Sequence, residues 1–320
     1  MSVAREDRGP DDLAPQDVEP FTVLMPVYDG DRRRFVKRAF ESATREQELP
    51  PTQVVVVRDG PVRPKLQALL EKLAATPGFD VDLVELPQNV GLAAALEVGL
   101  EHCDHEIVAR VDADDVSLPH RFAVQVPLVT AGYDLVGSAI VEIEDDEAEW
   151  GRTRTPPTTP DEIERYSRFH DPFNHPSVVY RRTAVRGAGG YETLDLMEDY
   201  LLFARMIAAG AQVANVAEPL VLYRVGAGAY ARRGGTRLLR SELRLQRTLR
   251  DEGFTSRTQY VRNVVVRGGY RLVPEGLRKA AYRTLLIRER PDAADVREPG
   301  AAVEHGPAAA PGEPSQPVSG

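Results

Sequence analysis

Residues 21–130 alternate between short apolar segments and longer amphipathic segments, and this alternation constrains the fold more than any other feature. The predicted strands are Phe21–Val27, Gln53–Arg58, Val81–Leu86 and Glu106–Val111. Predicted helices follow them at Arg32–Gln47, Lys65–Ala75, Gly91–His102 and Pro119–Thr130. The pattern predicts right-handed βαβ units, and therefore an α/β fold with a mostly parallel sheet flanked by helices.

The second half of the chain has a looser pattern than the first. Its predicted strands are residues 133–143, 175–181 and 212–223, and its predicted helices are 161–169, 200–209, 236–250, 256–267 and 274–288. We expect a disordered tail at 1–19, a domain at 20–230 that divides after residue 131, a basic helical extension at 231–290 and a disordered tail at 291–320.

Charge is distributed unevenly along the chain. The net charge is −9, but residues 231–290 contain 16 Lys or Arg against 5 Asp or Glu, which gives +11 there and leaves −20 elsewhere. A basic segment on an acidic protein indicates an anionic partner. No aromatic stacking pattern accompanies the arginines, so we expect an anionic membrane surface and no nucleic acid.

The sequence also predicts a cellular location. Cys103 is the single cysteine, which excludes an intrachain disulfide and suits a reducing compartment. No signal peptide or membrane span is recognisable. We therefore expect a cytoplasmic protein that docks peripherally at the inner face of the cell membrane.

Three carboxylates, Asp112, Asp114 and Asp115, follow the fourth predicted strand directly. Alternate residues after a strand project to the same side, so Asp112 and Asp114 can converge. Hard oxygen ligands favour Mn²⁺ or Mg²⁺, with diphosphate oxygens and water completing the coordination sphere. The alternative is that Asp115 caps the next helix and the others are solvated turn residues. Arg110 precedes this run and is a further candidate for contact with a phosphorylated ligand.

The first two strands end in residues that suit a nucleotide base. Asp59 is an acceptor that can take the N–H groups of a uracil, thymine or guanine ring, although an ordinary Asp-Gly turn explains it equally. Pro26 and Tyr28 lie at the end of the first strand, where Tyr28 can pack against a base. No GxGxxG follows that strand and no GxxxxGK[ST] occurs, which disfavours a dinucleotide-binding dehydrogenase and a P-loop enzyme.

Further candidates lie at helix starts and in loops. Asn89 and Gly91 open a small-residue helix whose N-terminus favours anions, or simply begin a packed helix. His175 either contacts a diphosphate or is a structural hydrogen bonder. Arg232 and Arg233, next to two glycines, can clamp a leaving diphosphate or form a solvated basic turn.

Glu198 and Asp199 stand at the start of an apolar helix, where acidic residues complement the helix dipole. The functional alternative is that Asp199 abstracts a proton from an attacking hydroxyl.

The chain resembles the family-2 inverting glycosyltransferases of the GT-A fold, including enzymes of capsule and exopolysaccharide synthesis. The similar stretches lie within residues 21–225 and comprise Val23–Tyr28, Val54–Gly60, Leu86–Ala94, Ala109–Arg121, Asn174–Tyr180 and Met197–Arg205. The resemblance implies a Rossmann-like domain with a nucleotide-binding half at 20–131 and an acceptor half at 132–230.

The resemblance also implies roles for particular residues. Pro26, Tyr28 and Asp59 would line the base pocket. Asp112 would contact the ribose and the metal-bound diphosphate, and Asp114 would bind the metal. Asp199 would be the general base, and Glu198 would orient the acceptor or sugar.

Two departures from the family pattern bear on these roles. The first turn reads Tyr-Asp-Gly where many relatives have Tyr-Asn, and the Gln-x-x-Arg-Trp sequence of processive synthases is absent. We therefore expect transfer of a single sugar.

The expected activity is transfer from a UDP-, GDP- or dTDP-linked sugar to a hydroxyl of a glycan or lipid-linked acceptor. The alternatives are a sugar-1-phosphate nucleotidyltransferase and a non-catalytic scaffold that binds sugar nucleotides or membranes. The nucleotidyltransferase usually has a Gly-rich basic loop after the first strand, which Pro26–Gly30 lacks.

Overall fold

A nine-stranded sheet forms the centre of the part of the chain that the computed structural model describes, which is residues 18–194, 196–225 and 236–272. The strands are β1 Phe21–Val27, β2 Gln53–Arg58, β3 Asp80–Glu85, β4 Ile107–Arg110, β5 Val116–Ser117, β6 Leu135–Ile143, β7 Trp150–Arg154, β8 Val179–Arg181 and β9 Val213–Arg224. Their order is β3-β2-β1-β4-β8-β6-β9-β5, and β7 pairs with β6.

Helices cover both faces of this sheet. They are α1 Arg33–Ser42, α2 Pro64–Ala74, α3 Leu92–His102, α4 Arg121–Thr130, α5 Pro160–Ser167, α6 Arg182–Gly187, α7 Glu198–Ala208, α8 Thr236–Asp251, α9 Arg257–Asn263 and α10 Gly269–Leu272. A π-helical turn, Val264–Gly268, joins α9 to α10. Within the described residues, no helix is both long and apolar enough to cross a membrane.

The strand directions agree with the predicted α/β class. Strands β1, β2, β3 and β4 pair in parallel, and β6 pairs in parallel with β9. Strand β8 runs against β4 and β6, and the short β5 and β7 are also antiparallel to their neighbours. The sheet is therefore mixed. Strand β8 lies between β4 and β6 and runs in the opposite direction to both.

Strand β1 is buried on both faces, which explains its uninterrupted apolar sequence. Val23 and Met25 belong to the core beneath α1, α2 and α4, whereas Leu24 belongs to the core beneath α3. In that second core, Gly99 lies so close to Leu24 that a Cβ would be 2.4 Å from its Cδ1. Residue size at this position therefore sets how closely α3 approaches the sheet.

The described part of the predicted basic extension packs against α7. Leu245 and Leu249 of α8, with Phe254 after it, form an apolar cluster with Tyr200 and Leu201. All five side chains are buried. Residues 236–272 therefore lie directly beside the helix that begins with the acidic pair.

Several element boundaries differ from the predictions. The predicted strand 175–181 begins as a 3₁₀ turn, His175–Ser177, because Pro176 has no N–H for a strand ladder. Helix α1 ends at Ser42 rather than Gln47, and the side chain of Gln47 instead donates to the carbonyl of Ser42 at 2.6 Å.

Other predictions concern the ends of the chain. The predicted helix 274–288, the tail 291–320 and residues 1–17 of the first tail lie outside the described residues. Glu19 lies within the first predicted tail, and it pairs with Arg181 at 3.0 Å and donates its N–H to Thr130.

Candidate active site

Three parallel strands bring the predicted site residues to one edge of the sheet. In the register of the sheet, Leu24 of β1 pairs with Val55 of β2 on one side and with Arg110 of β4 on the other. The carboxyl ends of β1, β2 and β4 therefore lie next to each other. This is the edge at which open α/β sheets bind ligands.

The acidic turn after β4 gathers three carboxylates. Ligand atoms of Asp112, Asp114 and Asp115 lie within 4.8 Å of one another. One oxygen of the buried Asp115 accepts the backbone N–H of Arg224 at 2.8 Å, and its Oδ2 is buried without a hydrogen-bond partner among the described residues. Burial, and then the charge of Asp112, raises the pKa of Asp114 to about 6. Concentrated negative charge of this kind favours a cation at the turn.

The donor set fits Mn²⁺ or Mg²⁺. Carboxylate oxygens are the hard ligands these ions prefer, and the orphaned Oδ2 of Asp115 points to an additional polar partner at the turn. Asp112 is held by the Arg110 guanidinium, but a carboxylate has about four lone-pair sites, so Asp112 can bind a cation together with Asp114.

Arg110 binds Asp112 with two guanidinium nitrogens, one of them at 2.9 Å from Oδ2. The Arg110 side chain is only 2% exposed. Its charge also lowers the pKa of Asp199, so a single buried cation acts on both Asp112 and Asp199. Arg110 is thus placed to hold the acidic turn rather than to lie free for a ligand.

Arg224, the last residue of β9, fixes the other side of the acidic turn. Its Nε donates to the carbonyl of Asp114 at 2.9 Å, and its Nη1 donates to the carbonyls of Glu144 and Asp145 at 2.6 and 3.0 Å. Its guanidinium also stacks on Phe35 at 4.0 Å. No sequence pattern near Arg224 indicates this contact, because Arg224 and Asp114 lie far apart in the chain and only the fold brings them together.

Asp59 holds the turn that precedes α3. Its carboxylate accepts the side-chain N–H of Asn89 at 2.9 Å and the backbone N–H groups of Val90 and Gly91 at 2.7 and 3.0 Å. Gly91 has φ +87°, a conformation that favours glycine, and this lets both N–H groups reach one carboxylate. Asp59 and Asn89 are therefore brought together, with most of the acceptor capacity of Asp59 used within the protein.

The loop after β1 exposes an aromatic ring beside this turn. Tyr28 is 48% exposed, whereas Pro26 is buried within β1 and pairs with Val57. Asp31 accepts the N–H of Tyr28 at 2.9 Å. Burial, opposed by that hydrogen bond and assisted by Asp114 and Asp112, raises the pKa of Asp31 to about 7. The charges of the acidic turn therefore act on Asp31, and no local sequence pattern indicates this.

A second acidic group forms at the start of α7. Oδ1 of Asp199 accepts the N–H of Tyr200 at 2.8 Å, and Oδ2 lies 3.7 Å from Nδ1 of His175. Burial raises the pKa of Asp199 above its usual value. Burial, and then the charge of Asp199, raises the pKa of Glu198 to about 7.

Asp171 joins this group from the loop after α5. Partial burial, and then the charge of Asp199, raises the pKa of Asp171 well above its usual range. Asn263 and Arg267 of the helical extension hold that loop, because they donate to the carbonyls of Arg168 and Phe169 at 2.9 and 2.7 Å. The loop after α5 and the extension thus lie on the same side of the site as Asp199.

The residue two places before Glu198 has an uncommon backbone conformation. Leu196 has φ +61°, and among the described residues it is the one non-glycine with positive φ. Its side chain is 62% exposed. This turn directs the chain into α7 so that the acidic pair begins the helix.

The model of the family described as "Glycosyl transferase family 2" matches residues 22–187. That range covers β1 to α6 and includes the acidic turn after β4. The chain belongs to this family. The predicted family membership is confirmed, and this family 2 protein is a glycosyltransferase.

Relatives match this family 2 glycosyltransferase over most of its length. It is 35% identical to an uncharacterized glycosyltransferase of Haemophilus influenzae, over 83% of this chain and 98% of the relative. It is 34% identical to the amylovoran biosynthesis glycosyltransferase AmsE of Erwinia amylovora, over 82% and 97%. It is 30% identical to the UDP-Gal:alpha-D-GlcNAc-diphosphoundecaprenol beta-1,3-galactosyltransferase of Escherichia coli, over 85% and 98%.

Solved structures share the fold. The mannosyltransferase PcManGT of Pyrobaculum calidifontis, in complex with GDP-Man and Mn²⁺, matches with a TM-score of 0.56 and 17% identity, over 88% of this chain and 79% of that one. TarS 1–349 of S. aureus in complex with UDP-GlcNAc matches with a TM-score of 0.57 and 17% identity, over 71% and 65%. The predicted GT-A fold is confirmed.

The structure of this glycosyltransferase gathers most of the predicted site residues and leaves two undescribed. Tyr28, Asp59, Asn89 and the acidic turn meet at one sheet edge, and His175 lies beside Asp199. Arg232 and Arg233 lie outside the described residues. Sequence reasoning missed Asp31, Asp171 and Arg224, which reach the site only through the fold.

Proposed function

We propose that this glycosyltransferase moves one sugar from a nucleotide-diphosphate sugar to a hydroxyl of a glycan or lipid-linked acceptor, with inversion at the anomeric carbon. The observation that carries the proposal is the pair of acidic groups, at Asp112–Asp115 and at Glu198–Asp199, with Arg110 acting electrostatically on both. The group at Asp112–Asp115 suits a cation and a diphosphate, and the group at Glu198–Asp199 suits proton transfer.

The acidic turn is proposed as the diphosphate end of the donor site. Asp114 and Asp112 would hold Mn²⁺ or Mg²⁺, with Asp115 supporting them, and the cation would neutralise charge on the leaving diphosphate. Arg110 and Arg224 keep the turn in one conformation through their hydrogen bonds to Asp112 and to the Asp114 carbonyl. Tyr28, Asp59 and Asn89 would contact the base.

Asp199 is proposed as the general base. Its carboxylate accepts the proton of the acceptor hydroxyl while the hydroxyl oxygen bonds to the anomeric carbon. The bond from that carbon to the diphosphate oxygen breaks, and its electron pair leaves with the nucleoside diphosphate. Attack opposite the leaving group inverts the anomeric configuration. The raised pKa of Asp199 makes it a stronger base than an exposed aspartate.

Residues around Asp199 would position the acceptor. His175 is buried, and burial together with Arg110 lowers its pKa well below the usual value, so its imidazole is neutral. Its Nε2 lies 2.9 Å from the hydroxyl of Tyr191, which fixes the ring. Glu198, whose Oε2 accepts the N–H of Met197 at 3.0 Å, would orient the acceptor or the sugar.

The relatives support a nucleotide-linked donor and a lipid-linked acceptor. The Escherichia coli relative is named for a UDP-galactose donor and a diphosphoundecaprenol-linked acceptor, and one structural neighbour was solved with GDP-Man. We propose a UDP-, GDP- or dTDP-linked sugar here. A lipid-linked acceptor would place the protein peripherally at the inner face of the cell membrane, in the cytoplasm.

The test combines donor screening with turnover. UDP, GDP and dTDP sugars are compared by thermal shift with Mn²⁺ and Mg²⁺, since a ligand that binds the native state raises the melting temperature. The donor that gives the largest shift is then assayed with a diphosphate-lipid acceptor, using wild type and Asp199→Asn. We expect turnover in wild type and little in the variant, and wild-type turnover in Asp199→Asn would exclude Asp199 as the base.

A further inference from the structure

The segment Arg257–Gly268 has its polar side turned inward and its apolar side turned outward. On the inner side, Asn263 is fully buried and donates to Gln246 and to the Arg168 carbonyl, both at 2.9 Å. Arg267 binds the completely buried Glu242 at 2.7 Å. A surface helix of a soluble domain normally buries its apolar side, so this polarity is inverted.

Three valines form the outer side of the same segment. Val261, Val265 and Val266 are 58%, 66% and 53% exposed. Val261 and Val265 are four residues apart and so lie on one helical stripe, with Val266 beside it. Leu243 of α8 is 39% exposed and packs near Gly268 at the base of this segment. We call Val261, Val265 and Val266 the valine surface.

The helical extension that carries the valine surface is basic. Residues 236–272 contain nine Arg and three Asp or Glu, which gives +6. Each of the three acids already pairs with an arginine: Glu242 with Arg267 and Arg271, Asp251 with Arg250, and Glu252 with Arg205. Arg240 and Arg247 on α8 and Arg257 at the start of α9 are exposed and lie outside these pairs. The valine surface therefore belongs to a segment whose net charge is positive.

We propose that the valine surface docks on an anionic lipid membrane, with the valines inserted shallowly and Arg240, Arg247 and Arg257 against lipid phosphates. Charge complementarity selects this occupant, because exposed apolar side chains on a basic helical segment are typical of peripheral membrane binding. The charge of residues 231–290 predicts membrane docking for that whole segment, and we assign the contact to the valine surface within it.

The segment that carries the valine surface also contacts the loop that leads to Asp171. The inner side of the same segment holds the carbonyls of Arg168 and Phe169, on the loop that continues to Asp171 near Asp199. The docked face and the candidate base are thus joined by contiguous packing. This consequence rests on the proposed function, since a lipid-linked acceptor would lie in the membrane to which the valine surface binds.

Vesicle cosedimentation of the full chain tests the docking. The vesicles contain phosphatidylcholine alone or with about one third phosphatidylglycerol, at low and moderate salt. We expect wild type to sediment with anionic vesicles only, and less at higher salt. The triple variant Val261→Asn, Val265→Asn, Val266→Asn is expected to bind about tenfold more weakly, from the loss of apolar insertion. Its melting temperature is expected to stay at the wild-type value because the three side chains are exposed.

A matched control and a charge variant sharpen the result. Trp150→Asn removes an exposed apolar side chain from β7, outside the extension, and is expected to bind vesicles as wild type does. Replacing Arg240, Arg247 and Arg257 by Gln is expected to weaken binding and reduce its dependence on salt.

Three outcomes would overturn the proposal: no binding of wild type to anionic vesicles, unchanged binding of the triple valine variant, or a wild-type dimer in sedimentation velocity that the triple valine variant does not form. The last result would identify a second copy of this chain as the occupant. The triple variant is expected to keep wild-type turnover with a water-soluble acceptor analogue. A protein that does not bind vesicles but still turns over the soluble acceptor would contradict the docking proposal alone. Loss of turnover with the soluble acceptor would contradict the proposed transfer reaction instead.

Discussion

Nδ1 of His175 lies 3.7 Å from Oδ2 of Asp199, while its Nε2 lies 2.9 Å from the hydroxyl of Tyr191. The first distance is too long for a hydrogen bond. Burial and the nearby Arg110 lower the pKa of His175 well below its usual value, so a neutral imidazole faces the carboxylate. Asp199 therefore keeps the basicity that burial gives it, without a histidine cation to lower its pKa.

The first prediction concerns the pH dependence of catalysis. Asp199 must be deprotonated to act as base, so kcat/KM should fall as the pH is lowered through a pKa above the ordinary aspartate value of 3.8. Burial and, to a smaller extent, the charge of Asp112 raise the pKa of Asp199, whereas the Tyr200 N–H and Arg110 lower it. Glu198 and Asp171 also face Asp199 and titrate with it. The measurement is kcat/KM against pH for wild type and His175→Gln.

The acidic limb should lie at nearly the same pH in wild type and in His175→Gln, because both side chains are neutral there. If loss of His175 raised the apparent pKa by about one to three units, the imidazole would have to be charged in the enzyme.

The second prediction concerns Asp171, whose pKa is raised well above its usual range by burial and by Asp199. In the folded protein Asp171 holds a proton that the unfolded chain has already released above about pH 4. Unfolding therefore releases a proton, and this residue lowers the stability as the pH rises. Asp171→Asn removes the titration, so the gain in melting temperature of the variant over wild type should grow as the pH rises above about 4, the ordinary aspartate pKa.

Asp171→Asn should also retain most of the wild-type turnover, because asparagine resembles the protonated acid. A parallel pH dependence of melting in wild type and variant would show that Asp171 is ionised in the folded enzyme.

The sequence was sufficient for the parts of the fold that depend on local pattern. The apolar runs and helical periods of residues 21–130 predicted β1 to β4 and α1 to α4, because each of those elements is buried in a regular way. The acidic turn was also predictable, since its three carboxylates are adjacent in the chain.

Residues that meet the site across the fold were not predictable. Arg224 reaches Asp114 only because β9 lies beside β6 and β5, and Asp171 reaches Asp199 through a loop held by the extension. Neither contact has a local sequence signal. The role of Asp59 as a base ligand stays a prediction, whereas the structure shows that its carboxylate organises the Asn89 turn.

The third prediction concerns Arg224 and the cation site. Arg224→Ala removes the bond to the Asp114 carbonyl and the stacking on Phe35, so the acidic turn loses its lateral support. Loss of such supporting contacts typically weakens metal binding about tenfold or more. Mn²⁺ affinity is measured by calorimetry in the absence of donor.

Arg154→Ala is the matched control, because Arg154 also belongs to this sheet, pairs with Glu142 and stacks on Tyr223. It should bind Mn²⁺ as wild type does. Equal Mn²⁺ affinity in Arg224→Ala and wild type would mean that the acidic turn keeps its conformation without Arg224.

The fourth prediction concerns Glu242, which is fully buried and binds Arg267 and Arg271 at 2.7 and 3.0 Å. Glu242→Ala leaves two largely buried guanidinium groups without their carboxylate. Breaking a buried ion pair from one side costs about 3–5 kcal/mol in the free energy of unfolding. Urea denaturation measures the loss.

Glu192→Ala is the comparison, since Glu192 pairs with Arg205 at 2.9 Å but is 42% exposed. Exposed ion pairs contribute about 1 kcal/mol or less, so this variant should be nearly as stable as wild type. Similar losses in the two variants would show that the extension is not held by the Glu242 network.

The central claim is a division of labour between Asp114 at the diphosphate and Asp199 at the acceptor proton. Steady-state kinetics with the donor as varied substrate, at one Mn²⁺ concentration that just saturates the wild type, test it in Asp199→Asn and Asp114→Asn. Asp199→Asn should lower kcat by about 10²- to 10⁴-fold with the donor KM unchanged, since a general base contributes about that much. Asp114→Asn should raise the donor KM about tenfold or more, because the cation that binds the diphosphate is held less well. Wild-type kcat in Asp199→Asn, or a donor KM that rises in that variant as it does in Asp114→Asn, would contradict the account.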